Sequence, residues 1–259
     1  MTTDPQPPAL SPQPLKGVRI LVTRPAAQAD TLCRMIESEG GVAVRLPLLA
    51  VEPVTQPATA RQRLAGGHDG WIFTSANAVR HAVPLMPAAW PRQVLAIGPA
   101  TATALAAAGR EISATPVAAA SSEALVELPE LQRVEGRRLL IVTGEGGRHV
   151  IEENLAARGA AVERAEVYRR VSLPYLPDDV AAALRKTDVV TVTSGTVLEH
   201  LVRLTPEGSR ASLFKKPLVA PSERVVEQAR ALGFARPHAI AEAMSDAAVC
   251  AACAQAAGT

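Results

Sequence analysis

The stretch Asp69–Val83, DGWIFTSANAVRHAV, decides how the 259-residue chain is read. Trp71, Ile72 and Phe73 form a short apolar run of the kind buried on both faces of a parallel sheet. Thr74 and Ser75 follow, and then Ala76, Val79, Ala82 and Val83 at helical spacing. Ser75 stands at the N-cap position, its hydroxyl placed to accept from a backbone N–H one turn into the helix. The stretch therefore reads as strand, tight turn and helix N-terminus. Such a terminus presents free N–H groups and a partial positive charge, which favour an anion. Every βα unit has a junction of this sort, and one alone assigns no function.

Asp188–Val202, DVVTVTSGTVLEHLV, repeats the pattern about 120 residues later, with Thr193-Ser194 at the turn. Other segments keep nearly the same lag and the same order. VRILVTRP (Val18–Pro25) matches RLLIVTGE (Arg138–Glu145), and LCRMIESEGGVAV (Leu32–Val44) matches NLAARGAAV (Asn154–Val162). VLAIGPATATALAAAGREISATP (Val94–Pro116) matches PLVAPSERVVEQARALGFARPHAI (Pro217–Ile240), and SSEALVEL (Ser121–Leu128) matches SDAAVCAAC (Ser245–Cys253). The lag is far too long for a solenoid, so the chain is expected to hold two similar α/β halves.

Aromatic residues make up only 3% of the sequence, so the core is expected to be built largely from Ala, Val and Leu. Lys and Arg number 27 against 25 Asp and Glu, which offers no concentrated basic face for nucleic acid. An anionic small molecule stays open, because helix termini and a few arginines supply a local field. Residues 1–14, with Pro5, Pro7, Pro8, Pro12 and Pro14, read as a solvated disordered tail. No basic start with an apolar core marks a signal peptide, and no run is long enough to span a membrane. The cytoplasm is the expected compartment.

Cys33, Cys250 and Cys253 make no disulfide framework, and Cys250-Ala-Ala-Cys253 lies in an Ala-rich helix where packing is expected. His68, His81, His149, His200 and His238 show no metal-ligand spacing, and no Ser-His-Asp arrangement or nucleophile elbow can be assembled. Gly144-Glu-Gly-Gly147 lacks the Gly-Lys-Ser/Thr of a phosphate loop and reads as a tight turn, with Arg148 beside it as a candidate carboxylate contact. Val42–Leu49, Val51–Val54 and Ala165–Leu173 read as extended segments bordered by prolines.

ILVTRP (Ile20–Pro25), WIFTSANAV (Trp71–Val79), VLAIGPATATAL (Val94–Leu105), VYRRV (Val167–Val171) and VTVTSGTV (Val190–Val197) occur in that order. The ordered set resembles the uroporphyrinogen-III synthase family, over essentially everything after the Pro-rich tail. The resemblance implies an α/β fold of two parallel-sheet domains joined by a two-stranded β linker, with the active site in the interdomain cleft. On that pattern residues 15–43 and 177–259 form one domain and residues 57–161 the other, with 44–56 and 162–176 as linker strands. It also implies the family's reaction: the linear tetrapyrrole hydroxymethylbilane closes to uroporphyrinogen III, with loss of water and inversion of ring D. The pyrroles supply the electrons, so no metal or redox cofactor is expected. A monomer is expected, with transient contact to the enzyme that supplies hydroxymethylbilane.

Carried over by motif, Ser75, Thr101 and Ser194 match polar cleft positions of the family, and Tyr168 in VYRRV matches its recurrent tyrosine, the candidate proton donor. Arg24 is the expected charged partner for a substrate carboxylate. The chain departs from the pattern at Ala220-Pro-Ser-Glu223, where Glu223 is unwelcome beside a carboxylate and the contact falls to Ser222. The competing expectation is a two-domain α/β binding protein for an anionic small molecule.

Overall fold

The computed structural model describes residues 13–86, 89–117, 120–235, 238–241 and 244–258. The expected tail lies outside them except for Gln13 and Pro14, which enter a turn where Lys16 N–H donates to Gln13 O at 3.1 Å. That turn sets Leu15 fully inside the fold.

The chain begins with β1 (Arg19–Val22), α1 (Ala26–Ser38), β2 (Val42–Arg45) and β3 (Leu49–Pro53). Next come α2 (Pro57–Ala65), β4 (Gly70–Phe73), α3 (Ala76–Ala82), β5 (Gln93–Ala96), α4 (Pro99–Ala107) and α5 (Ser122–Val126). They lead to β6 (Arg138–Gly144), α6 (Val150–Ala157) and the long β7 (Ala161–Ser172). The remainder is α7 (Pro177–Arg185), β8 (Val189–Thr191), α8 (Gly195–Leu204), α9 (Glu207–Phe214), β9 (Leu218–Ala220), α10 (Glu223–Ala231), β10 (His238–Ile240) and α11 (Asp246–Ala257). Contacts divide the chain into two units, one running through Ala50 and resuming at Ser172, the other spanning Val51–Val171.

The first unit holds the sheet β10-β9-β8-β1-β2, whose neighbours all pair in parallel. Numbered within the unit this is the order 2-1-3-4-5 of a doubly wound sheet. Ile20 and Val22 face α1 and α11 through Leu32, Ile36 and Val249, while Leu21 faces α8 and α10 through Leu201 and Val226. Both faces are covered, which is why the strand reads as a continuous apolar run. α1 ends on a glycine in the left-handed region: Gly40 has φ +85° and Gly41 N–H donates to Ile36 O at 2.9 Å. Cys33, Cys250 and Cys253 are buried in the α1–α11 layer, where burial pushes the Cys250 thiol up to about 12 and raises Cys253 further still.

The second unit holds the sheet β3-β7-β6-β4-β5. The pairs β4–β5, β4–β6 and β6–β7 are parallel. Trp71 and Phe73 face α2 and α3 through Leu64, Val79 and Ala82, and Ile72 faces α5 and α6 through Leu125 and Leu155. The segment expected as a second linker strand is for most of its length a core strand. β7 pairs with β6 from Ala161 to Tyr168 and buries Ala165, Val167 and Tyr168, an apolar set that only a sheet interior can cover. The segment expected as the first linker is likewise divided, β2 ending at Arg45 in one sheet and β3 beginning at Leu49 in the other.

Candidate active site

In doubly wound sheets, ligands sit beyond the carboxyl ends of the strands where the strand order reverses. In the Val51–Val171 unit that point lies between β4 and β6, since β5 flanks β4 on one side and β6 and β7 follow on the other. Thr74 and Ser75 leave β4 there, next to Thr143 and Gly144 at the end of β6, and Thr74 Oγ1 donates to Thr143 Oγ1 at 2.8 Å. A cavity of about 290 Å³ lies at this point, lined by Thr74, Thr143, Gly144, Arg148, Tyr168 and Arg170 among others. A larger one of about 410 Å³, lined by Gln56, Arg63, Glu145 and Arg164, lies along α2 rather than at the reversal, and both of its arginines are already ion-paired, Arg63 with Glu163 and Arg164 with Glu152.

The position of Tyr168 is set by an irregularity in β7. Thr143 pairs with Glu166, but Gly144 pairs with Tyr168, so one extra residue is inserted on the β7 side. Such a bulge re-aims the side chains that follow it. Here it lays the phenol over Gly144, where a Cβ would come within 2.5 Å of the Tyr168 Cζ. Only glycine leaves room for the ring. Tyr168 is 2% exposed, and its hydroxyl has two partners: Ser75 Oγ at 3.2 Å and Arg170 Nη2, which donates to it at 3.1 Å. His81 lies 5.8 Å from the ring, centroid to centroid, and burial together with Arg80 holds its imidazole below the ordinary histidine value. It therefore faces the phenol uncharged near neutral pH.

Ser75 is the N-cap of α3 and accepts from Ala78 N–H at 3.0 Å. A serine hydroxyl has one hydrogen and two lone pairs, so capping leaves it free to bond the phenol as well. Among the arginines lining the cavity, Arg148 donates to Glu123 at 2.6 Å, both side chains being more than half exposed. Arg164 holds both oxygens of Glu152 at 2.8 and 2.9 Å. Arg170 bonds Tyr168, while its neighbour Arg169 pairs with Glu52 at 2.9 Å.

Of the residues expected from sequence, Tyr168 and Arg148 line this one cavity and Ser75 bonds the tyrosine. Thr101, in the first turn of α4, belongs to the same unit but is 3% exposed and not part of the cavity wall. Arg24, Ser194 and Ser222 belong to the other unit, where they follow the carboxyl ends of β1, β8 and β9. Ser194 caps α8, accepting from Val197 N–H at 3.3 Å; Ser222 has the same extended backbone but no side-chain capping bond. Arg24 is only 12% exposed, is paired with Asp246 at the start of α11 and donates to Met244 O at 2.7 Å. The carboxylate it holds in this structure is the protein's own. Glu223, the departure from the pattern, is tied to Arg230 at 3.0 Å. Sequence reasoning did not single out Arg170, although the period-2 spacing Tyr168, Arg170 on a strand was the signal available.

These features define a two-unit, doubly wound α/β protein whose second unit gathers a phenol, hydroxyls and arginine around a cavity of about 290 Å³. The chain belongs to the uroporphyrinogen-III synthase family: the family model described as uroporphyrinogen-III synthase HemD matches residues 30–250. The chain is 37% identical over 227 residues to the uroporphyrinogen-III synthase of Escherichia coli (strain K12), covering 83% of this chain and 92% of that protein. It is 35% identical, with the same coverage, to that of Salmonella typhimurium (strain LT2). Among solved structures, a mutant uroporphyrinogen III synthase from the extremely thermophilic bacterium Thermus thermophilus is 21% identical, covers 90% of this chain and 96% of its own, and gives a TM-score of 0.59. The uroporphyrinogen-III synthetase of Helicobacter pylori 26695 is 13% identical, with coverage of 92% and 97% and a TM-score of 0.58. The structural likenesses establish the fold.

Proposed function

We propose that the chain converts hydroxymethylbilane to uroporphyrinogen III, with Tyr168 as the proton donor that releases water. The observation that carries the activity is the 37% identity across 92% of the Escherichia coli synthase. The Tyr168 hydroxyl, set by the β7 bulge at a cavity on the strand-order reversal, supports the residue assignment.

The chemistry starts at the hydroxymethyl group of the substrate. The adjacent pyrrole nitrogen pushes its electron pair toward the carbon, the C–O bond breaks, and the departing hydroxide takes the phenolic proton to leave as water. The resulting azafulvene is attacked by the substituted carbon of ring D to give a spiro intermediate. Fragmentation and reclosure invert the ring, and loss of a proton from the closing carbon restores the pyrrole and returns a proton to the tyrosine. The macrocycle differs from the substrate by one water.

Holding one conformation of a flexible tetrapyrrole is the larger task. Its acetate and propionate arms are to be met by hydroxyls and by N–H groups at helix starts, with Ser75, Ser194 and Ser222 as the binding set and Arg24 and Arg148 as charged neighbours, while the burial of Thr101 leaves it a supporting place in the first turn of α4. The reading includes a cytoplasmic monomer that receives its substrate from the enzyme that makes it. Light scattering on the purified chain tests the monomer.

The activity is tested by incubating the protein with hydroxymethylbilane, oxidising the product and separating the porphyrin isomers. The III isomer is expected. A product distribution identical to that of hydroxymethylbilane alone would overturn the proposal.

A further inference from the structure

The arginines lining the cavity at the strand-order reversal are not equivalent. Arg148 is paired with Glu123 and Arg164 with Glu152. Arg170 is exposed, and among the described residues no carboxylate forms an ion pair with it. Its Nη2 donates to the Tyr168 hydroxyl oxygen at 3.1 Å, and its guanidinium carbon lies 5.4 Å from the centroid of the same ring. Tyr168 and Arg170 stand two residues apart on β7, so the bulge that swings the phenol over Gly144 carries the arginine round with it.

A guanidinium is charged at every relevant pH and offers five donors in a planar fork. One of these goes to the phenol. The rest form a fork that matches a carboxylate, at the one cavity arginine whose charge the protein itself leaves unpaired among the described residues.

We infer that Arg170 anchors a carboxylate arm of the substrate and is the positioning residue for Tyr168, an inference that rests on the synthase activity proposed above. The bond from Nη2 occupies a lone pair of the phenol oxygen. The phenol's own hydrogen is thereby turned toward Ser75 Oγ or toward a group held in the cavity. A carboxylate gripped by the same guanidinium fixes the distance between its pyrrole ring and that hydrogen. One side chain thus couples binding of the polycarboxylate to aim of the proton donor.

Steady-state kinetics on hydroxymethylbilane test this, with wild type, Arg170→Ala, Arg170→Lys and Arg170→Ala in a Tyr168→Phe background. Loss of a charge-assisted bond corresponds to roughly a 10- to 100-fold rise in KM for Arg170→Ala. A fall in kcat is expected with it. Arg170→Lys is expected to recover much of the KM but little of the kcat, because an ammonium supplies charge without the fork. In the Tyr168→Phe background, Arg170→Ala is expected to raise KM by the same factor and leave kcat where Tyr168→Phe has already put it. An Arg170→Ala protein that melts like wild type and keeps both constants overturns the inference. So does a kcat loss that persists undiminished in the phenylalanine background, since the arginine would then not act through the tyrosine. A wild-type protein with no synthase activity overturns the proposed function instead. Should Arg170→Ala fail to fold, Arg170→Gln, neutral but similar in reach, carries the same comparison.

Discussion

The phenolic oxygen of Tyr168 and the hydroxyl of Ser75 lie 3.2 Å apart, although 93 residues separate them in sequence. Because Ser75 also caps α3, the helix start fixes where the phenol rests. Ser75→Ala removes both bonds. It is expected to cost about 1 kcal/mol of stability, the usual cost of a lost serine cap, read as a lower melting temperature. It should also lower turnover, but by much less in a Tyr168→Phe background, since residues that share a hydrogen bond are not additive. Equal turnover losses in both backgrounds would contradict a functional bond between them.

Gly144→Ala places a methyl where the Tyr168 ring already is, at 2.5 Å from Cζ. Overpacking of this kind costs roughly 1–3 kcal/mol, and the ring is the part that must move. Both melting temperature and turnover are expected to fall. Gly67→Ala is the control, because a Cβ there meets nothing within 4 Å. A fully active Gly144→Ala protein would show that the phenol tolerates displacement.

Arg24 and Asp246 tie the end of β1 to the start of α11 across 222 residues of sequence, with side chains 12% and 22% exposed. Asp246→Asn removes the charge from a largely covered pair and is expected to destabilise by about 1–3 kcal/mol. Thermal melting checks it. Arg24→Ala is accordingly expected to lose stability as well as affinity for the polycarboxylate substrate. Wild-type melting in both variants would return Arg24 to a purely substrate-facing role.

Acid should weaken both units. The Arg19 side chain holds the Asp188 carboxyl below its ordinary value, and Arg63 followed by Arg138 does the same for Glu163. A folded-state value below the unfolded one contributes stability above the unfolded value, and this is lost as pH falls through the folded one. Melting temperature is therefore expected to be insensitive to these groups from pH 7 to 5 and to fall below roughly pH 4. Asp188→Asn should flatten part of that fall. An unchanged acid profile would count against the pairing.

Much of the fold was legible because its signals are local. Ser75, Ser194, Ser121 and Ser245 each follow a strand or loop and precede a helix, and each accepts from the N–H three residues on. Ser222 stands in the same context without a capping bond, and nothing in the structure explains it. The site was only partly legible because its geometry is made by pairing between distant segments. The extra residue in β7 is defined by its register against β6, and the demand for glycine at 144 exists only once Tyr168 is laid over it. The ion pairs of Arg24 and Arg148 likewise depend on partners that the local sequence does not reveal. The double arginine after Tyr168 is ambiguous until strand alternation sends Arg169 to Glu52 and Arg170 to the phenol.

In the proposed reaction the Tyr168 hydroxyl delivers the proton that releases water. The most direct measurement is the single-turnover rate of uroporphyrinogen III formation by Tyr168→Phe, with the isomers separated after oxidation. The substitution removes one oxygen and leaves the ring that packs over Gly144. General-acid assistance is typically worth about 10²–10⁴-fold, so the rate is predicted to fall by that factor while melting temperature and the III isomer are retained. A folded Tyr168→Phe protein forming uroporphyrinogen III at the wild-type rate would contradict the claim.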